Sequence, residues 1–248
     1  MTPRKDNRKF DKIRKTIIRT DVLDYADGSA LIEMDQTRVI TSATIEEKVP
    51  FFLKGNGSGW IHAEYAMLPR STGARTQRDR GFRMSGRTQE IQRLIGRALR
   101  AVTDLKELGE RTIIIDCDVL QADGGTRCAS ITAGCVSLAL ALKKLLDNNT
   151  LQCMPLCSLA GAVSAGVVEG ELLLDLDYPE DSNAGVDMNV VGTDSGNLVE
   201  VQVSAEKDPF PKDVFDSLVE LSLQGIKDLI RIQKETLKEK SPLFIAYD

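Results

Sequence analysis

Two hydrophobic periods run along this chain. Alternating or short apolar stretches predict strands over 13–20, 30–34 and 38–45, and again over 112–120, 160–168, 171–178, 188–192 and 198–204. Asp194-Ser195-Gly196 predicts a hairpin turn between the last two. A 3.6-residue stripe of Ile91, Leu94, Ile95, Ala98, Leu99 and Val102 predicts an amphipathic helix, with Arg93, Arg97 and Arg100 turned away from it. Over 129–146, Ala, Val and Leu cover most of the circumference, which predicts a buried helix. Pro209 and Pro211 precede a second amphipathic helix over 214–238. Between 46 and 86 no period holds, and the stretch reads as irregular, with His62 in a loop after Trp60. Strands and helices without regular alternation predict an α+β fold, one domain over residues 1–248.

The chemistry concentrates where strand 112–120 ends. Leu120-Gln121-Ala122-Asp123-Gly124-Gly125-Thr126-Arg127 passes from an apolar strand through a double glycine to a hydroxyl and a guanidinium at a helix start. Free backbone N–H groups and the two side chains then surround a volume suited to a phosphate-sized anion. A plain glycine turn satisfies the same stretch.

Charge sharpens the picture. The net charge is −5, but from Arg70 to Arg100 there are nine arginines, no lysine and two acids. Arginine pairs with phosphate oxygens bidentately, so residues 69–81, which lack periodicity, read as a basic loop for a polyanion or as a solvated loop. From Glu169 to Asp187 there are seven acids and no base. Asp181 follows one strand-like run and Asp187 begins another, with a turn at 182–185 between them. That connection can bring both carboxylates to one sheet end as a magnesium site, or leave two turn-flanking aspartates.

Composition excludes some chemistry. His62 is the single histidine, so metal sites needing two histidines are ruled out within one chain, and nothing marks a serine nucleophile elbow. The five cysteines are odd in number and lie mostly in apolar segments, as free thiols do. Cys153 and Cys157 lack the second ligand pair of a zinc site. No apolar run reaches membrane-spanning length, and the charged start lacks the apolar core of a signal peptide. The expectation is a cytoplasmic protein with no membrane partner.

Taken together, these residues resemble the ribonuclease PH family of phosphate-dependent tRNA nucleotidyltransferases, in its bacterial form rather than as an exosome ring subunit. The resemblance is carried in colinear order by residues 45–50, 53–55, 59–60, 63–65, 67–72, 86–95, 120–127, 180–182 and 187–191. It implies a fold of two related β-α halves, like the second domain of a small-subunit ribosomal protein, and a homohexamer built as a trimer of dimers. It implies that inorganic phosphate, the co-substrate, sits on Arg87 and on Gly125, Thr126 and Arg127. It implies that Asp181 and Asp187 form the catalytic pair that binds Mg2+ or Mn2+, and that Arg70, Arg75, Arg78 and Arg80 hold RNA. The implied reaction trims 3′ nucleotides of tRNA precursors, releases nucleoside diphosphates and can run in reverse. His62, where the family often has threonine, and Lys207-Asp208, where a glycine is common, depart from the pattern outside these positions.

Two other readings stay open at this point. A non-catalytic RNA-binding ring subunit is expected to lack one of Arg87, Arg127, Asp181 or Asp187, and this chain has all four. A hydrolytic nuclease could use Asp116, Asp118 and Asp123, although buried, hydrogen-bonded strand aspartates are the simpler expectation for the first two.

Overall fold

The computed structural model describes residues 4–78 and 84–240. Strands β1 (Thr16–Thr20), β2 (Gly28–Met34) and β3 (Thr37–Glu46) form an antiparallel meander. β3 pairs antiparallel with β5 (Thr112–Gln121), and β5 pairs parallel with β4 (Trp60–Met67), giving the order β1-β2-β3-β5-β4. A second sheet, β7-β6-β8-β9, is antiparallel throughout. Its strands are β6 (Ala160–Val168), β7 (Glu171–Leu174), β8 (Val186–Thr193) and β9 (Leu198–Ala205). The mixed α+β architecture stands.

Three long helices pack on these sheets. α1 (Gly86–Ala101) lies on β4, capped by the Ser85 hydroxyl, which accepts from the Thr88 N–H. α3 (Thr126–Asp147) contacts β2 and β3 of the first sheet and β6 of the second. That sandwiched position explains why apolar residues surround it. α3 is long and apolar enough to cross a membrane, but it is mostly buried inside the protein, as the core helix of a globular fold is. α5 (Lys212–Lys238) packs on β6 and β8 and reaches β1. One apolar cluster joins all three helices to both sheets.

The structure departs from the sequence expectation in several places. The stretch read as irregular contains β4 and a 3₁₀ turn, Phe51–Leu53. In β4, Ile61, Ala63 and Tyr65 face inward while His62 and Glu64 face outward, so His62 sits on a strand. Two of the inward positions, Ala and Tyr, carry weak apolar signals, which hid the alternation. A short helix α2 (Leu105–Leu108), capped by Asp104, also went unread. The strand expected over 171–178 stops at Leu174, because Asp175 adopts φ +56°. Asp177 then caps α4 (Tyr178–Asn183) in a reciprocal box with Glu180. Asp181 therefore lies on a helix. Arg100 does not simply face solvent: its guanidinium lies 4.2 Å over the Trp60 ring and donates to the Ile61 carbonyl at 2.7 Å. The hairpin turn at 194–196 joins β8 to β9 as expected, with Gly196 at φ +81°.

Candidate active site

β5 delivers the double glycine to the start of α3. Gly124 has φ +77° and Gly125, the N-cap residue, φ +66°, both left-handed. A Cβ on Gly124 would lie 2.5 Å from the Leu176 carbonyl, so the turn abuts the connection that leads into α4. Thr126 and Arg127 form the first turn of α3, whose leading N–H groups have no partner within the helix. The Thr126 hydroxyl is 2.9 Å from the buried Tyr65 hydroxyl, which comes from β4. The tyrosine fixes the threonine side chain at the helix mouth. Burial pushes the Tyr65 phenol up, against a downward pull from the Arg87 and Arg127 charges.

The carboxylates arrive from the second sheet. Asp181 comes from α4, and Asp187 from β8, where it pairs with Ser204. Burial pushes Asp187 up to about 6, and the Asp181 charge adds to that, while Arg127 opposes it. Burial also raises Asp181, opposed by Arg87 and Arg127. Asp187 therefore feels both Asp181 and Arg127, and Asp181 feels both arginines, so side chains from α1, α3, α4 and β8 act on one another's charge. A cleft of about 220 Å³ is lined by Arg127, Asp187, Asn189, Gln202 and Glu90. Arg127 donates to Gln202 Oε1 at 3.1 Å and lies 3.5 Å from Glu90. Asp187 Oδ2 accepts weakly from Asn189 at 3.3 Å, whereas buried Oδ1 has no hydrogen-bond partner. A buried carboxylate oxygen without a donor suits a cation. No group of three metal-type ligands occurs among the described residues, so a cation on this pair would keep most of its water, as magnesium does.

Four contributors escaped the sequence reading as site residues. Glu206, just after β9, adds negative field at both aspartates. Gln202 and Tyr65 position Arg127 and Thr126. Arg14, buried beside Asp175, donates to the Asp123 and Gly124 carbonyls of the glycine turn. The strand register could have flagged Gln202, which pairs with Asn189; nothing local marks the others.

The arginine loop is only partly within view. Arg70, Arg75 and Arg78 are exposed, and Arg70 donates to the Gly73 carbonyl at 2.7 Å. Arg80 lies outside the described residues. Asp116 and Asp118 are not the buried strand residues expected. They lie on the outward face of β5, half-exposed and exposed, and Arg78 pulls on Asp118. Asp123 is engaged elsewhere, accepting from the Tyr178 N–H at 3.4 Å, which leaves no nuclease triad of these three. Cys117, Cys128 and Cys135 are buried free thiols as expected, but Cys153 and Cys157 are exposed.

Helices packed on two sheets, with Arg87, Arg127, Asp181 and Asp187 within reach of one another's charge, set the class of protein to look for. The 3′ exoribonuclease family models match the chain, domain 1 over residues 12–144 and domain 2 over residues 158–225. The chain belongs to this family. It is 57% identical over 236 residues to the ribonuclease PH of Moorella thermoacetica, covering 94% of each chain. It is 52% identical to the ribonuclease PH of Bdellovibrio bacteriovorus, covering 95% of this chain and 97% of that one. Among solved structures, rice Rrp46 superimposes with TM-score 0.76 at 20% identity, over 94% of this chain and all of that one. The Archaeoglobus fulgidus exosome with RNA bound to the active site gives TM-score 0.77 at 22% identity, over 92% and 91%. At that distance the structures speak for the fold, which is the ribonuclease PH-like one. The activity is that of a phosphorolytic 3′→5′ exoribonuclease.

Proposed function

We propose that this chain shortens tRNA precursors and other structured RNA 3′ ends by one nucleotide per cycle, with inorganic phosphate as attacking group. The observation that carries the residue assignment is the meeting of Arg87 and Arg127 with Asp181 and Asp187 at the start of α3. Two anions must approach each other. Arg87, Arg127, the Thr126 hydroxyl and the amides at Gly125 hold and orient the phosphate. A phosphate oxygen forms a bond to the phosphorus of the last phosphodiester. The bond from that phosphorus to the 3′ oxygen of the preceding nucleotide breaks, and that oxygen takes up a proton. The products are a nucleoside diphosphate and RNA shorter by one residue; the reverse reaction adds one. No histidine is required, because phosphate is already nucleophilic at neutral pH.

Asp181 and Asp187 would hold Mg2+ or Mn2+, which supplies charge neutralisation at the reacting phosphoryl group. Burial raises both aspartates, which supports a role for one of them in passing the proton to the leaving oxygen. Arg70, Arg75, Arg78 and Arg80 grip the RNA backbone without reading sequence, which suits an enzyme that steps along its substrate. The working assembly is a homohexamer, a trimer of dimers, in the cytoplasm; the family relationship supports both. The chain over 1–248 acts as one unit, which the single apolar cluster joining both sheets supports.

The test is a tRNA with extra 3′ residues, incubated with magnesium, with and without inorganic phosphate. Nucleoside diphosphates appearing only with phosphate support the proposal. Monophosphates without phosphate, or no release, contradict it.

A further inference from the structure

Arg14 takes no part in the mechanism above, yet its side chain is 1% exposed and fully engaged. Its Nε and Nη2 meet the two carboxylate oxygens of buried Asp175 at 3.1 and 2.7 Å. Its Nη1 donates to the Asp123 carbonyl at 2.6 Å and to Thr37 Oγ1 at 3.3 Å, and Nη2 reaches the Gly124 carbonyl at 3.4 Å. The Thr37 hydroxyl donates to the same Gly124 carbonyl at 2.7 Å and accepts from the Asp123 N–H at 3.0 Å. The peptide groups just before α3 are thus clamped from one side.

That clamp has a directional consequence. In a trans peptide the carbonyl and the following N–H point to opposite sides. Drawing the Asp123 and Gly124 carbonyls toward Arg14 turns the N–H groups of Gly124 and Gly125 away from the buried side. The other end of the clamp matters equally. Asp175 closes β7, its N–H donates to the Ser164 carbonyl at 2.6 Å, and Asp177, two residues on, caps the helix that bears Asp181. One buried ion pair therefore ties the glycine turn of the first sheet to the carboxylate helix of the second. Arginine suits this place because its planar fork meets a carboxylate at two points and keeps donors for two carbonyls.

We propose that Arg14, together with Thr37, is a positioning residue for the phosphate co-substrate. It sets the direction of the turn amides and their spacing from Asp181. The inference rests on the assignment of phosphate to this turn made above.

The experiment is steady-state phosphorolysis with phosphate and RNA varied separately, alongside thermal melting, for the wild type, Arg14→Lys, Thr37→Val and Arg127→Ala. Arg14→Lys keeps the charge beside Asp175 but cannot make all five hydrogen bonds. The expected result for Arg14→Lys and Thr37→Val is a KM for phosphate raised about tenfold or more, with KM for RNA within about twofold of wild type. A role confined to stability lowers the melting temperature and leaves the phosphate KM of the folded enzyme unchanged. That result, or an equal rise in both KM values, overturns the proposal. If Arg14→Lys fails to fold, Thr37→Val decides on the same criterion. If Arg127→Ala leaves the phosphate KM unchanged, the assignment of phosphate to the turn fails. If Arg127→Ala raises it while both clamp variants behave as wild type, only the clamp fails.

Discussion

Replacing Asp187 by asparagine is expected to stabilise the metal-free protein while ending turnover. Asp187 titrates near 6 in the fold, through burial and then the Asp181 charge, whereas an unperturbed aspartate titrates near 3.9. Keeping it ionised therefore costs the folded state about 3 kcal/mol. The folded value lies above the unfolded one, so the cost is fully present above about pH 6 and is relieved progressively as the pH falls from there to about 3.9. Asparagine removes the charge but still leaves a buried polar atom where Oδ1 has no donor. The net gain is then roughly 1–2 kcal/mol, or about 2–8 °C in melting temperature for a chain of this size. Calorimetry of both proteins in a chelator, at pH 8 and pH 5, measures it. The gain is expected at pH 8 and near zero at pH 5, where the cost has fallen by about half, to ~1.5 kcal/mol, and only offsets the buried polar atom. A variant that melts below wild type at pH 8, or that gains equally at both pH values, refutes the reasoning.

Other consequences are testable in the same preparations. Asp175, held below the usual carboxylate range by Arg14 despite its burial, contributes stability above about pH 4 that is lost on further acidification. Asp175→Asn strands a buried guanidinium and should cost about 3–5 kcal/mol at pH 7, a penalty that shrinks at pH 3 in urea titrations. Gly124→Ala places a Cβ 2.5 Å from the Leu176 carbonyl at a left-handed φ. It should lose about 2 kcal/mol or more of stability, read by thermal melting, and weaken phosphate binding, read by calorimetric titration. Tyr65→Phe removes the hydroxyl 2.9 Å from Thr126. It should cost about 1 kcal/mol and weaken phosphate several-fold, whereas an unchanged phosphate affinity would mean that Thr126 needs no support.

Legibility in the sequence depended on how local each signal was. The stripe of Ile91, Leu94, Ile95, Ala98 and Leu99 identified α1 because periodicity is written in neighbouring residues. The Gly124-Gly125-Thr126-Arg127 turn was legible as a glycine turn at a helix start for the same reason. β4 was not, because Ala63 and Ala66 blur the contrast between its faces. α4 was missed because Leu172 to Tyr178 continues an alternation that only the left-handed Asp175 and the Asp177–Glu180 cap interrupt. Arg14 sits 109 residues from Asp123 and 161 from Asp175. No local pattern announces a contact made entirely by tertiary structure. The outward Asp116 and Asp118 looked like core residues because a strand in an otherwise apolar run does not reveal which face is covered.

The central claim is that the turn at Gly125-Thr126-Arg127 holds the phosphate that attacks the RNA. Isotopically labelled inorganic phosphate, offered with a 3′-extended tRNA and magnesium to the wild type and to Arg127→Ala, tests it most directly. The account predicts label in the β-phosphate of every nucleoside diphosphate released by the wild type. It predicts that Arg127→Ala needs far more phosphate to produce the same label while binding RNA normally. Unlabelled nucleoside monophosphates from the wild type, or full labelling by Arg127→Ala at wild-type phosphate concentrations, would contradict it.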